Sequence, residues 1–231
     1  MLFAAPVNLD LGTVLNGTPL QFSNSISLII FLSMISLVPF FLVSVTSFMR
    51  ITIVFGMLRS AMGTQQSPPN IVIISLALFM TIFIMSPVWN KVKAEALDPY
   101  NKGTISQDVA IKKALNPLRT FMFAQAGQKD LALFAEFSRI DLKKIKSRED
   151  IPTYVLIPAY MISELKKAFM ISFVIFLPFV LIDLLVSNIL LSLGMMMLSP
   201  VMISLPFKIL FFVLVDGFNV IARGLMQSYM H

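Results

Sequence analysis

Cysteine is absent from all 231 residues, and histidine occurs once, as His231 at the end of the chain. Without thiols there is no disulfide, no thiolate metal site and no cysteine nucleophile, and one terminal imidazole cannot assemble a zinc centre. The sequence contains no Gly-Lys-Ser/Thr phosphate loop and no paired nucleophile and base. It therefore offers no catalytic residues, no metal ligands and no cofactor site, and an enzyme is not expected. Charge is scarce as well. Asp, Glu, Lys and Arg make up 13% of the chain, against about a quarter in an ordinary soluble domain. Two stretches carry none, between Asp10 and Arg50 and between Arg59 and Lys91. Each is long enough for the roughly 20 apolar residues that cross a bilayer core.

What is present points to a membrane protein, with 57% hydrophobic residues and a mean hydropathy of +0.85. The net charge of +6 is not a nucleic-acid signature, because the basic residues are mixed with acids and not interleaved with aromatics. Basic loops beside anionic membrane lipid account for it more simply.

The chain divides into four stretches. Residues 1–24 form a turn-rich N-terminal extracytoplasmic segment around Asn16-Gly17-Thr18-Pro19. Its opening, Met1 to Pro6, resembles the end of a secretory signal but lacks a basic start and a full apolar core. Residues 25–90 hold two apolar helical segments, Ser25 to Phe48 and Ile71 to Val88, with a kink expected at Pro39. Between them a short link carries Arg50 and Arg59, followed by a break from Gly63 to Asn70. Residues 91–152 form a charged extracytoplasmic helical module with 12 basic and 8 acidic residues. Amphipathic helices are expected there over 108–123 and 129–138, followed by a basic linker at 143–148. Residues 153–231 form a C-terminal helical hairpin. An Arg50/Arg59 link free of acids favours the cytoplasmic side, which places the N-terminus and the charged module outside.

The hairpin turn is the most informative stretch. Gly194 permits a turn, and Pro200 suits the first turn of the next helix. Between them stand Met195, Met196 and Met197, unbranched side chains that re-pack without a fixed shape. Local sequence supports two readings, a methionine-rich membrane turn and a soft gasket closing a hole. Asp183 and Lys208 are the ionisable groups of the flanking apolar segments, where burial is costly unless they pair or face water. They fall at similar depths below the turn, about 12 to 15 Å by helical rise, and can pair within the hairpin or between neighbouring copies. A structural salt bridge fits better than a proton relay, which would bring more acids or histidines into the spans. Glu164 and Lys167, three residues apart, are placed for a local pair.

Several stretches together resemble the FliP family, flagellar members of the type III secretion export gate. They are Thr46 to Ile51 running into Phe55-Gly56 and Leu58-Arg59, Pro68-Pro69-Asn70, Phe83 to Pro87, Leu156 to Tyr160 with Ser163 to Lys166, Leu193 to Met197, and Leu205 to Lys208 running into Val215 to Phe218. The resemblance implies an all-α, membrane-associated fold of long bent apolar helices and helical hairpins with one polar amphipathic-helix module, assembling into a helical ring. It implies a pentamer of FliP copies completed by FliQ-like and FliR-like subunits, next to FlhA/FlhB-like export components, in the bacterial inner membrane at the flagellar basal body. Unfolded flagellar proteins would be the cargo. By the same resemblance Met195, Met196 and Met197 correspond to the family's gasket, while Glu164 and Lys208 fall at positions of subunit contact. Arg50 and Asp183 join them as candidate buried polar contacts. The competing reading is an ion-coupled membrane transporter subunit that uses Asp183 and Lys208.

Overall fold

The computed structural model describes residues 25–64, 66–138, 150–195 and 197–230. The N-terminal segment, the basic linker at 143–148, Met196 and His231 lie outside the described residues. All regular structure among the described residues is helical: α1 Ser25–Val45, α2 Phe48–Met62, α3 Asn70–Val92, a π-helical turn Lys93–Leu97, α4 Asp98–Asn101, α5 Gln107–Gln125, α6 Gln128–Phe137, α7 Thr153–Ser192, α8 Pro200–Leu214 and α9 Gly217–Gln227. The protein is thus an all-α, membrane-associated chain. Asn70–Asn101 and Thr153–Ser192 are each long and apolar enough to cross a membrane alone, and α8 and α9 qualify as a pair bent by 60°.

Two compact units divide the chain after Phe41. The described part of the first is a stretch of α1 whose large apolar side chains, among them Ile30, Met34, Val38 and Phe41, are exposed around the helix. A helix apolar on every face is suited to lipid or to the interior of a larger body. α1 continues through Pro39 without a break in helical assignment and ends at Val45.

The second unit is organised around α2. Ile51, Val54, Phe55, Leu58, Ala61 and Met62 recur at helical spacing and are all buried. They pack with Ile73, Ala77 and Met80 of α3, Ala168 and Phe179 of α7, Phe212 of α8 and Leu225 of α9. The stretch expected as a link bearing Arg50 and Arg59 is therefore a core helix. Six apolar contacts along one face outweigh two charges, and each charge finds a partner: Arg50 in the interior, Arg59 on Asn70 and the Pro68 carbonyl. Gly63, at φ 76°, ends the helix and donates to the Ser60 carbonyl at 3.1 Å.

α5 and α6 pack against the start of α7, through Met122, Leu156 and Tyr160 in one cluster and Ala135, Ile151 and Val155 in another. α7 starts at Thr153 and runs on through Pro158. The carbonyl that Pro158 leaves without its helical donor belongs to Tyr154, an exposed residue, so water can satisfy it.

Candidate functional site

Arg50 stands in the first turn of α2, just after the chain breaks helix at Thr46 and Ser47, with the Thr46 hydroxyl accepting the Phe48 amide at 3.3 Å. That break turns the arginine inward, where it is 1% exposed. Its Nε donates to Glu164 Oε2 at 2.9 Å and its Nη2 to Glu164 Oε1, a two-pronged contact with a carboxylate that is itself 0% exposed. Nη2 also donates to Gln125 Oε1 at 3.0 Å and Nη1 to Ser228 Oγ at 2.7 Å. The Tyr229 ring lies 3.9 Å from the guanidinium carbon, and the Tyr229 hydroxyl donates to Glu164 Oε2. Phe121 stacks on Tyr229 and tilts against Tyr160, whose hydroxyl donates to the Thr46 carbonyl at 2.8 Å. Burial pushes the Tyr229 hydroxyl well above the usual phenol range, and the Glu164 charge adds to it.

This junction joins α2, α5, α7 and the residues after α9 through one ion pair. A guanidinium suits it because its rigid fork meets a carboxylate, an amide and a hydroxyl at once, which a lysine ammonium cannot do in one plane. The expected local pair of Glu164 with Lys167 does not form. Glu164 is taken by Arg50 from 114 positions away, and Lys167 donates to the Gln125 carbonyl at 2.8 Å and to Gln125 Oε1 at 2.9 Å. A pair three residues apart on a wetted helix contributes only a few tenths of a kcal/mol, and a buried two-pronged contact overrides it.

A second polar cluster sits lower on α7 and α8. Lys208 Nζ lies 2.6 Å from Asp183 Oδ2, and Ser204 donates to Asp183 Oδ1 at 2.6 Å. Lys208 also reaches the Ala61 carbonyl at 3.4 Å, in the last turn of α2 where the helix dipole favours a cation. The pair thus forms within one chain. The lysine is buried, whereas the Asp183 side chain keeps 38% of its surface open.

A third cluster lies where α6 meets α7. Asp130 accepts from Ser163 Oγ at 2.7 Å and from Lys166 Nζ, and the Ser163 hydroxyl oxygen accepts the Gly127 amide at 2.8 Å. The hydrogen bond from Lys166 holds the Asp130 carboxyl below the usual carboxylate range, against its burial.

The hairpin tip is built on a double-bonded helix end. The Gly194 amide donates to the Leu191 carbonyl at 3.0 Å and the Met195 amide to the Leu190 carbonyl at 2.9 Å, with Gly194 at φ 71°. This arrangement satisfies two end carbonyls and needs a residue without a Cβ at the positive φ. Pro200 then occupies the first turn of α8. Met195 is half exposed and Met197 is 99% exposed, flanked by exposed Leu193 and Leu198.

The structure brings Arg50 and Glu164 together, and separately Asp183 and Lys208, while Met195, Met197, Gly194 and Pro200 share the tip. Gln125, Tyr160, Ser228, Tyr229, Asp130 and Ser163 were not foreseen. Gln125 is buried at the end of a helix otherwise rich in charge, and only the fold explains why. Among the described residues no group of three His, Asp or Glu is placed to hold a metal ion.

Comparison with known proteins bears on most of the chain. The FliP family model matches residues 31–225. The chain is 48% identical to the flagellar biosynthetic protein FliP of Bacillus subtilis, covering 93% of this chain and 96% of that one. It is 46% identical to that of Pectobacterium carotovorum over 89% of this chain and 79% of the relative, and 44% identical to that of Caulobacter vibrioides over 96% and 82%.

Proposed function

The chain belongs to the FliP family, and on that footing we propose that it is a core pore subunit of the flagellar protein export gate, which passes unfolded flagellar proteins across the bacterial inner membrane. The observation that carries this reading is the hairpin tip, a doubly bonded turn that leaves Met195 half exposed and Met197 uncovered by its own chain. Leaving methionine in water is unfavourable, so the tip is shaped to meet other copies of itself. Copies converging on an axis interdigitate when the passage is empty and part around a polypeptide in transit, because methionine contacts are non-directional and individually weak. A hydrophobic constriction also resists wetting and so blocks ions. Met196, between the two, belongs to the same plug. FliQ-like and FliR-like subunits complete the ring beside FlhA/FlhB-like components.

Replacing Met195, Met196 and Met197 together by alanine in the assembled gate raises ion leakage while secretion persists. An unchanged leak in a fully assembled gate overturns the plug.

The open face of Asp183 favours one alternative, an ion-coupled transporter in which Asp183 and Lys208 titrate. Exchanging the two residues separates the readings. Export recovers in the double exchange if the pair is structural and stays dead if a titrating carboxylate is needed at position 183.

A further inference from the structure

Beyond the last helix, Ser228 and Tyr229 fold back onto the Arg50–Glu164 pair. Three of the elements that meet there, α2, α5 and α7, supply Arg50, Gln125 and Glu164. On the fourth side Ser228 accepts from Arg50 Nη1, and Tyr229 covers the guanidinium face and donates to Glu164 Oε2. Lift those two residues and Nη1 and Oε2 each lose a hydrogen-bond partner while the ion pair opens to solvent. The helix that carries them is held along one face: Leu225 is buried in the core with Ile221, Ala222 and Met226 packed beside it, while Val220 on the other face is exposed. It is also set off from α8 by a 60° bend at Asp216, a non-glycine residue at φ 51°. A short arm on a bent joint, ending in groups that complete a buried ion pair, has the form of a closure.

We propose that α9 with Ser228 and Tyr229 is a strap, jointed at Asp216, that closes over the Arg50–Glu164 pair after the rest of the junction has formed. Residues 228 and 229 are synthesised after every other member of the junction, so the order of closure follows the order of synthesis. The strap concerns the conformation of the subunit and holds whether or not the methionine tip seals a pore.

The lack of cysteine allows a direct test on the full chain in detergent. Ser47 is completely buried beside the junction, its backbone carbonyl 3.4 Å from the Tyr229 hydroxyl, and its own hydroxyl has no hydrogen-bond partner. Ser47→Cys therefore removes no bond and places a small apolar thiol under the strap. Ser172→Cys does the same in the α7 core, where the serine is equally buried and unpartnered. The rate of modification by a water-soluble maleimide is read at each site with the strap intact, with the chain stopped before Ser228, and with Tyr229→Ala. With the strap intact both thiols react slowly. Stopping the chain, and to a smaller degree Tyr229→Ala, speeds reaction at position 47 by about tenfold or more while position 172 stays protected, as expected of local opening. Faster reaction at both positions shows that the tail is part of one cooperative core, and no change at either shows that it covers nothing. Each of those results overturns the strap.

Discussion

The two halves of α7 follow opposite rules. From Thr153 to Ser172 the helix buries Val155, Leu156, Ala159, Tyr160, Ser163, Glu164, Ala168 and Ser172, a mixture of apolar and polar groups. Beyond Phe179 only Val186 and Leu190 are buried, and Leu181, Leu184, Leu185, Ile189 and Leu191 are exposed up to a tip that shows Met197 entirely. Charge goes in at one end and methionine goes out at the other. The first half is thus packed along one face within the chain, with Glu164 and Lys166 paired. The second half presents a surface that only lipid or other subunits can cover. A chain divided in this way is a packed core carrying an unfinished interface, which is what a component of a larger assembly requires.

Breaking the packed half has the largest effect. Arg50→Ala or Glu164→Ala leaves the other charge buried without its partner and costs about 3 to 5 kcal/mol, read as a fall in thermal stability of the detergent-extracted subunit. Replacing both together by apolar residues of similar volume restores much of that loss, since the desolvation penalty goes with the pair. Gly217→Ala comes next. An added Cβ would run into the Phe212 ring at the bend between α8 and α9, and about 1 to 3 kcal/mol of overpacking strain is expected in the same measurement. The unfinished half behaves differently. Replacing Met197 by alanine changes the stability of the isolated subunit by no more than about 0.5 kcal/mol, because its side chain is exposed in one chain. A large loss would mean that the tip is packed after all.

The smallest effect sharpens the boundary of the packed half. The Asp130 carboxyl is held below its ordinary range by Lys166, so its contribution is complete above the unfolded carboxylate value and is lost as pH falls through the lowered folded value. The stability difference between the native chain and Asp130→Asn should therefore be flat near neutrality and shrink in acid. Because Lys166 is mostly exposed, the difference stays modest.

Much of this was legible in the residues, and the exceptions have physical reasons. The apolar segments and the tip follow from composition and from a glycine and a proline bracketing three methionines. α2 was harder. Arg50 and Arg59 break its hydropathy, although Ile51, Val54, Phe55, Leu58 and Ala61 already mark one helical face. What no local pattern contains is the partner of Arg50, since Glu164, Gln125 and Ser228 are distant in sequence and come together only through packing. For the same reason Lys167 looked like the natural mate of Glu164. With Arg50 buried in the junction, it also stops counting as a loop charge for orientation across the membrane.

Cross-linking at the tip tests the central claim most directly. With no native cysteine, Met197→Cys in the gate assembled in its membrane gives one thiol per copy. The account predicts disulfides between copies under mild oxidation, and release of the bond on reduction without loss of the complex. A thiol at position 197 that forms no bond between copies, and is instead quenched by lipid-soluble reagents, would place the methionines on the outer wall and contradict it.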